Sequence, residues 1–103
     1  MTESEFTLMT DAIFKRIEQC IDASGTDIES NMNGPVLELE FEDGSKIIIN
    51  RHMPNQEIWL AAKSGGFHYK MLDGEWHSQR DGSELFSKLS ELIQLGTGRR
   101  IIF

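Results

Sequence analysis

Leu37-Glu38-Leu39-Glu40-Phe41-Glu42-Asp43-Gly44-Ser45-Lys46-Ile47-Ile48-Ile49-Asn50-Arg51 decides the fold. Apolar and acidic residues alternate through Phe41, the period of a half-buried strand, and Asp43-Gly44 is a hairpin signal followed by a second apolar run. Two registers compete. A two-residue Asp-Gly loop pairs Leu39 with Ile48 and sends Ile47 and Ile49 out among glutamates. A three-residue loop, Glu42-Asp43-Gly44 with Gly44 left-handed, pairs Leu39 with Ile47 and Leu37 with Ile49. The second buries more apolar surface and is the expected one, with Glu38, Glu40, Ile48 and Asn50 facing outward. The same alternation turns Ile58 and Leu60 inward and leaves Trp59 and Ala61 out. An outward tryptophan beside an outward isoleucine reads as a docking patch.

Turn signals recur on both sides of this hairpin, at Asn33-Gly34-Pro35, Met53-Pro54-Asn55, Ser64-Gly65-Gly66 and Asp73-Gly74. They divide the middle of the chain into an antiparallel meander with strands predicted at 27–32, 36–42, 45–51, 56–62, 66–71 and 75–78. Ahead of it the period changes. Thr2 and Glu5 have capping-box spacing, and Phe6, Met9, Ile13, Ile17, Cys20 and Ile21 recur at helical steps, so residues 2–22 are predicted to form an amphipathic helix stopped by Gly25. Asp11, Lys15, Glu18 and Asp22 form a separate, mostly acidic stripe on it. After the meander, Ser83 is the expected cap of a second helix bearing Leu85, Phe86, Leu89, Leu92 and Ile93, ended by Gly96 and Gly98. Neither helix can bury its stripe alone. The expected fold is therefore α+β, a two-layer α/β sandwich with both helices on one face of an antiparallel sheet of about six strands. Residues 1–103 read as one domain, with no repeat or dividing linker.

The chain has 103 residues and a net charge of −7, and the placement of charge says more than its size. Residues 1–43 hold eleven acids against Lys15 and Arg16, while residues 44–103 hold six acids against eight bases. A chain acidic in its first half is a poor fit to nucleic acid, which needs a basic footprint, and suits cations or a basic protein partner. No segment approaches the roughly 20 apolar residues of a membrane span, and the acidic start resembles no secretory leader, so the expectation is a soluble, cytoplasmic protein without membrane contact.

Chemistry-bearing motifs are sparse. Cys20, the lone cysteine, cannot form an internal disulfide and falls on the apolar stripe, where a buried inert thiol is expected. His52, His68 and His77 lack the spacing of a preorganised metal site, and no nucleophile constellation is apparent. Gly65-Gly66 lies between strands without the flanking residues of a phosphate loop, and reads as a hairpin turn. Trp76 reads as core. No enzymatic activity is expected.

The order helix, antiparallel strands, helix, together with Gly44-Ser45-Lys46-Ile47-Ile48-Ile49-Asn50-Arg51, Pro54, Gln56-Glu57-Ile58-Trp59-Leu60-Ala61, Gly65-Gly66-Phe67-His68-Tyr69, Glu75-Trp76 and Arg80-Asp81-Gly82, resembles the frataxin family, particularly its bacterial branch, the CyaY proteins. The resemblance spans essentially the whole chain. It implies an iron-binding regulator or iron donor of iron–sulfur cluster assembly, in contact with a cysteine desulfurase and with the scaffold protein on which clusters are built. In bacterial members the implied role is an iron-sensitive brake on the desulfurase. The implied metal ligands are Glu18, Asp22, Asp27 and Glu29, with Glu3, Glu5 and Asp11 outlying. They would hold Fe2+/Fe3+ or other divalent cations weakly, as hard exposed carboxylates do. Glu18 and Asp22 also fall on the implied desulfurase contact. Ile48, Asn50, Trp59 and His68, with His52 and Glu57 nearby, match the scaffold-facing positions. Gln19, Ala23, Ser24, Gly25 and Thr26 stand where many relatives carry further acids, so weaker or fewer metal sites are expected. The alternative reading is an iron storage or carrier protein with ferroxidase-like behaviour, monomeric without iron and oligomeric with it.

Overall fold

In the computed structural model, which describes residues 1–103, Thr2 and Glu5 close the expected capping box. Glu5 N donates to Thr2 Oγ1 at 3.1 Å, and Thr2 N donates to Glu5 Oε1 at 2.8 Å. From this cap α1 runs Glu3–Ser24 and ends at Gly25, which takes the left-handed φ of 69°. Its buried stripe is Phe6, Thr10, Ile13, Phe14, Ile17 and Ile21. Two expected members lie on its flank: Met9 is 37% exposed and Cys20 is half-buried, where full burial was predicted. At about 100° per residue both sit well round the helix from the centre of the stripe, whereas Phe14 and Thr10 fall within it. Thr10 is tolerated there because its hydroxyl donates to Phe6 O at 2.9 Å.

Six strands follow as a meander: β1 (Glu29–Asn33), β2 (Val36–Glu40), β3 (Lys46–His52), β4 (Glu57–Ala62), β5 (Gly65–Leu72) and β6 (Glu75–Ser78). They form one antiparallel sheet in sequence order. The central hairpin adopts the three-residue loop, with Leu39 opposite Ile47, Leu37 opposite Ile49, and Gly44 at φ 86°. Apart from β6, every strand differs from its expected range by one or two residues at one or both ends, and two of the shifts follow directly from the pairing. Asp27 and Ile28 precede the ladder, because β1 begins only where Glu29 meets Glu40. The β4–β5 turn is Lys63-Ser64, since Ala62 already pairs with Gly65.

α2 (Leu85–Thr97) is capped by Glu84, where Ser83 was predicted. The Ser83 hydroxyl is engaged with Asp81 Oδ1 at 2.7 Å, and the Glu84 carboxylate accepts from Phe86 N at 2.8 Å instead. Gly96 does not end α2, as expected, but lies inside it; Gly98 closes the helix at φ 76°. Gly96 is there for space: a Cβ would stand 2.4 Å from Cε2 of the Phe41 ring.

Both helices and the inner sheet face share one cluster of 21 buried apolar residues. Trp76 belongs to it, 4% exposed and tilted against Phe6. The tail joins too. Ile101 is 5% exposed, its carbonyl accepts from Ser90 Oγ at 2.6 Å, and Phe103 stacks on Phe86 beneath the Arg16 guanidinium, which also reaches Phe103 O. The expected two-layer sandwich is thus the observed architecture, and it leaves the outer sheet face bare. No helix is long and apolar enough to cross a membrane.

Candidate functional site: an acidic edge and an open sheet face

Two surfaces carry the predicted residues. The first follows the chain from α1 into the edge strand β1. Glu18 is half-buried, and Glu3, Asp22, Asp27 and Glu29 are exposed. Glu29 stands opposite Glu40 in the ladder, a like-charge pair that repels unless a cation or a basic surface lies nearby. Two outlying candidates have other partners. Asp11 Oδ1 pairs with Arg51 Nη1 at 2.6 Å, tying α1 to β3, and Glu5 serves the helix cap. The Glu5 carboxyl is held below the usual range by the Thr2 backbone and hydroxyl hydrogen bonds. Asp27, by contrast, gains company the sequence did not reveal: it lines a shallow depression with Glu42, Asp43 and Arg99. Nowhere do three His, Cys, Asp or Glu side chains converge tightly enough to hold an ion together.

The second surface is the outer face of β3, β4 and β5. Register sets Asn50 beside Trp59 and Trp59 beside His68, while His52 pairs with Glu57 and so lies diagonal to the indole. The three rings form a continuous stack. His52 lies 3.9 Å from Trp59 with 10° between planes, and His68 lies 4.3 Å away on the other side with 4°. Beneath them Glu57 is only 6% exposed although it points to the outer face; it accepts from Trp59 Nε1 at 2.9 Å, and Lys70 Nζ lies 4.0 Å from it. The indole is therefore fixed on both faces and at its N–H. Its outer edge, with Ile48 at 38% exposure and Asn50 alongside, forms a shallow apolar depression. His52 Nδ1 is buried without a hydrogen-bond partner. The sequence reading placed Trp59, His68, Ile48 and Asn50 correctly on one face but left His52 and Glu57 as neighbours only. The missing signal was available in the register, since pairing Asn50 with Trp59 puts His52 on the diagonal.

His77 stands apart, its Nε2 3.2 Å from Glu75 and its Nδ1 3.1 Å from Gly82 O. These contacts, the Gly82 carbonyl first, raise its pKa. The three histidines do not form one site, because the Trp59 ring separates His52 from His68.

Fold and surfaces together define a small α/β sandwich whose predicted site residues lie on its surface and not in an enclosed cleft. The frataxin-like domain model matches residues 1–99. The chain is 45% identical over 101 residues to the iron-sulfur cluster assembly protein CyaY of Neisseria meningitidis, covering 98% of this chain and 94% of that one. It is 48% identical over 101 residues to the CyaY protein of Paraburkholderia phymatum, covering 98% and 96%. Among solved structures, frataxin from Psychromonas ingrahamii superposes with a TM-score of 0.94 at 37% identity, over 99% of this chain and 97% of that one. Trimeric frataxin from Saccharomyces cerevisiae, complexed with ferrous iron, superposes with a TM-score of 0.73 at 29% identity, over 96% and 88%. The chain belongs to the frataxin family, with its curated relatives in the CyaY branch.

Proposed function

We propose that this chain is a non-enzymatic, iron-binding regulator and iron donor of iron–sulfur cluster assembly that works by contacting two proteins at once. The observation that carries the proposal is the separation of its two surfaces. The carboxylates of α1 and β1 lie in the strongly acidic part of the chain, at the β1 edge of the sheet, and the Trp59 stack lies three strands away on β4, beside an exposed Ile48. In this reading Glu18, Asp22, Asp27 and Glu29 take Fe2+ as a loosely held cargo, with Glu3 and Asp11 at the margin, where Asp11 must first leave Arg51. Glu18 and Asp22 also meet a basic groove on the cysteine desulfurase, where summed charge governs association more than any single ligand. Ile48, Asn50, Trp59 and His68 meet the scaffold protein. Bound iron neutralises the acidic edge and so alters the desulfurase contact. This offers a physical route to iron-sensitive control in the cytoplasm.

The test is an anaerobic titration of labelled protein with the cognate desulfurase and, separately, the cognate scaffold, each with and without ferrous iron. Glu18→Lys/Asp22→Lys is expected to weaken desulfurase binding about tenfold or more while leaving the scaffold contact intact. Trp59→Ala should do the reverse. Equal desulfurase binding by wild type and the charge-reversal variant sinks the proposal.

The alternative, an iron carrier that assembles on loading, draws on the yeast relative described as trimeric and complexed with ferrous iron. It predicts iron-dependent growth in mass on a sizing column, with oxygen uptake above the buffer rate. The first reading predicts a monomer under the same conditions.

A further inference from the structure

Histidine is the side chain whose ordinary charge change falls between about pH 5 and 8, and here two of them enclose the one tryptophan of the open face. The stack is built, not incidental. Both contacts are near-parallel, at 3.9 and 4.3 Å, and the indole cannot rotate away without breaking its Nε1 bond to Glu57. Any proton gained by His52 or His68 therefore places a cation directly on the indole face.

We propose that the His52–Trp59–His68 stack makes docking at this face proton-dependent: it engages its partner as a neutral aromatic ledge and releases it when the imidazoles are protonated. The proposal deepens the scaffold-contact reading of Trp59 and rests on it. Three observations favour release over tighter binding. First, the exposed apolar part of the face, Ile48 and the indole edge, gains from a partner that removes water, whereas an imidazolium covered by that partner loses its hydration. Second, protonating both rings puts two like charges on opposite faces of a single indole. Third, the nearest charged groups offer limited relief. From β4 comes the Glu57 carboxylate, already shared between the indole N–H and Lys70. From β5 comes the Lys70 ammonium, and from the turn after β6 the Arg80 guanidinium, which lines a depression with His68; both are cations. The outward Lys46 of β3 is paired with Glu38 of β2 at 2.8 Å, and on β6 Glu75 is engaged with His77. The helices pack on the inner face of the sheet.

The stack and the docking are measured separately. Trp59 and Trp76 are replaced by 5-fluorotryptophan, the two resonances are assigned with Trp59→Phe, and 19F NMR follows each indole from pH 8.5 to 5, a window set to about the histidine range. The expected result is a Trp59 resonance that titrates in the wild type and is flat in His52→Phe/His68→Phe, which keeps stacked rings but carries no proton. A flat wild-type profile, or the same titration in the double variant, overturns the proposal. Binding of the cognate scaffold protein is then compared near the two ends of the window. Wild-type affinity should fall about tenfold or more on acidification, whereas the affinity of the double variant, whatever its value at pH 8.5, should not change with pH. Equal loss in both proteins also overturns the proposal. Should Trp59→Ala bind the scaffold as well as wild type at high pH, the docking reading itself fails, and the 19F titration still decides whether the rings sense protons.

Discussion

At Gly96 two demands oppose each other. An alanine would favour the helix by about 1 kcal/mol, but its Cβ would meet the Phe41 ring at 2.4 Å. Overpacking of this kind costs about 1–3 kcal/mol, so Gly96→Ala should lower the urea midpoint at unchanged slope. A raised midpoint would show that Phe41 moves aside freely. Glu57 makes a comparable demand on the other face. Removing its carboxylate in Glu57→Ala frees the Trp59 N–H and should cost about 1–3 kcal/mol, and the indole should lose its fixed orientation, read as a drop in fluorescence anisotropy. Neither role could be read from the sequence. Gly96 looked like a helix stop, since nothing in the chain announces which ring will lie over α2, and Glu57 was legible only as a neighbour of the scaffold-facing positions, not as the group that holds the indole.

The turn between β6 and α2 shows how an element is held at its start. Asp81 accepts from the Ser83 hydroxyl at 2.7 Å and the Ser83 N–H at 3.0 Å, and these bonds, the hydroxyl first, depress its pKa to about 2. A carboxyl depressed in the fold stabilises above its ordinary pKa of 3.8, and that contribution is lost as pH falls toward about 2. Asp81→Asn should therefore unfold more easily than wild type at pH 5, with the gap closing in acid; a gap of constant size would overturn this. His77 has the opposite sign. Its pKa is raised from 6.5, chiefly by the Gly82 carbonyl and then by Glu75, so its contribution is complete below 6.5 and is lost as pH rises through the raised value. His77→Gln should be less stable than wild type at pH 6 and equal to it at pH 9 in parallel urea melts. The helices and strands themselves were legible, because periods of 3.6 and 2 are properties of the chain. The cap of α2 was not, because Ser83 and Glu84 both qualify until Asp81 occupies the serine.

Across the whole molecule, charge and packing pull in different directions. With eleven acids against two bases in residues 1–43, the acidic edge repels itself, so Glu18→Lys/Asp22→Lys should melt higher than wild type at low salt. The difference should shrink as salt screens it. A charge-reversed protein that melts lower at low salt would mean that self-repulsion is not felt in the fold. The tail pulls the other way. Ile101 completes the core between the helices, and Ile101→Ala should cost about 2–4 kcal/mol, as for other buried aliphatic truncations. A loss below about 0.5 kcal/mol would mark the tail as a loose covering.

The sequence alone determined the architecture and the face on which each strand residue lies. Alternation with period two admits only one register that buries Leu37, Leu39, Ile47 and Ile49 together, and every later strand inherits its facing from that hairpin. It also put Trp59, Ile48 and Asn50 outward on one surface, where the family resemblance added His68. Only the tertiary structure decided what those residues touch. Whether two imidazoles close on an indole, whether Asp11 faces solvent or Arg51, and whether residues 99–103 hang free or lock two helices depend on distances between segments far apart in the chain. Local periodicity specifies direction; contact across the sheet and between layers is fixed only when the whole chain packs.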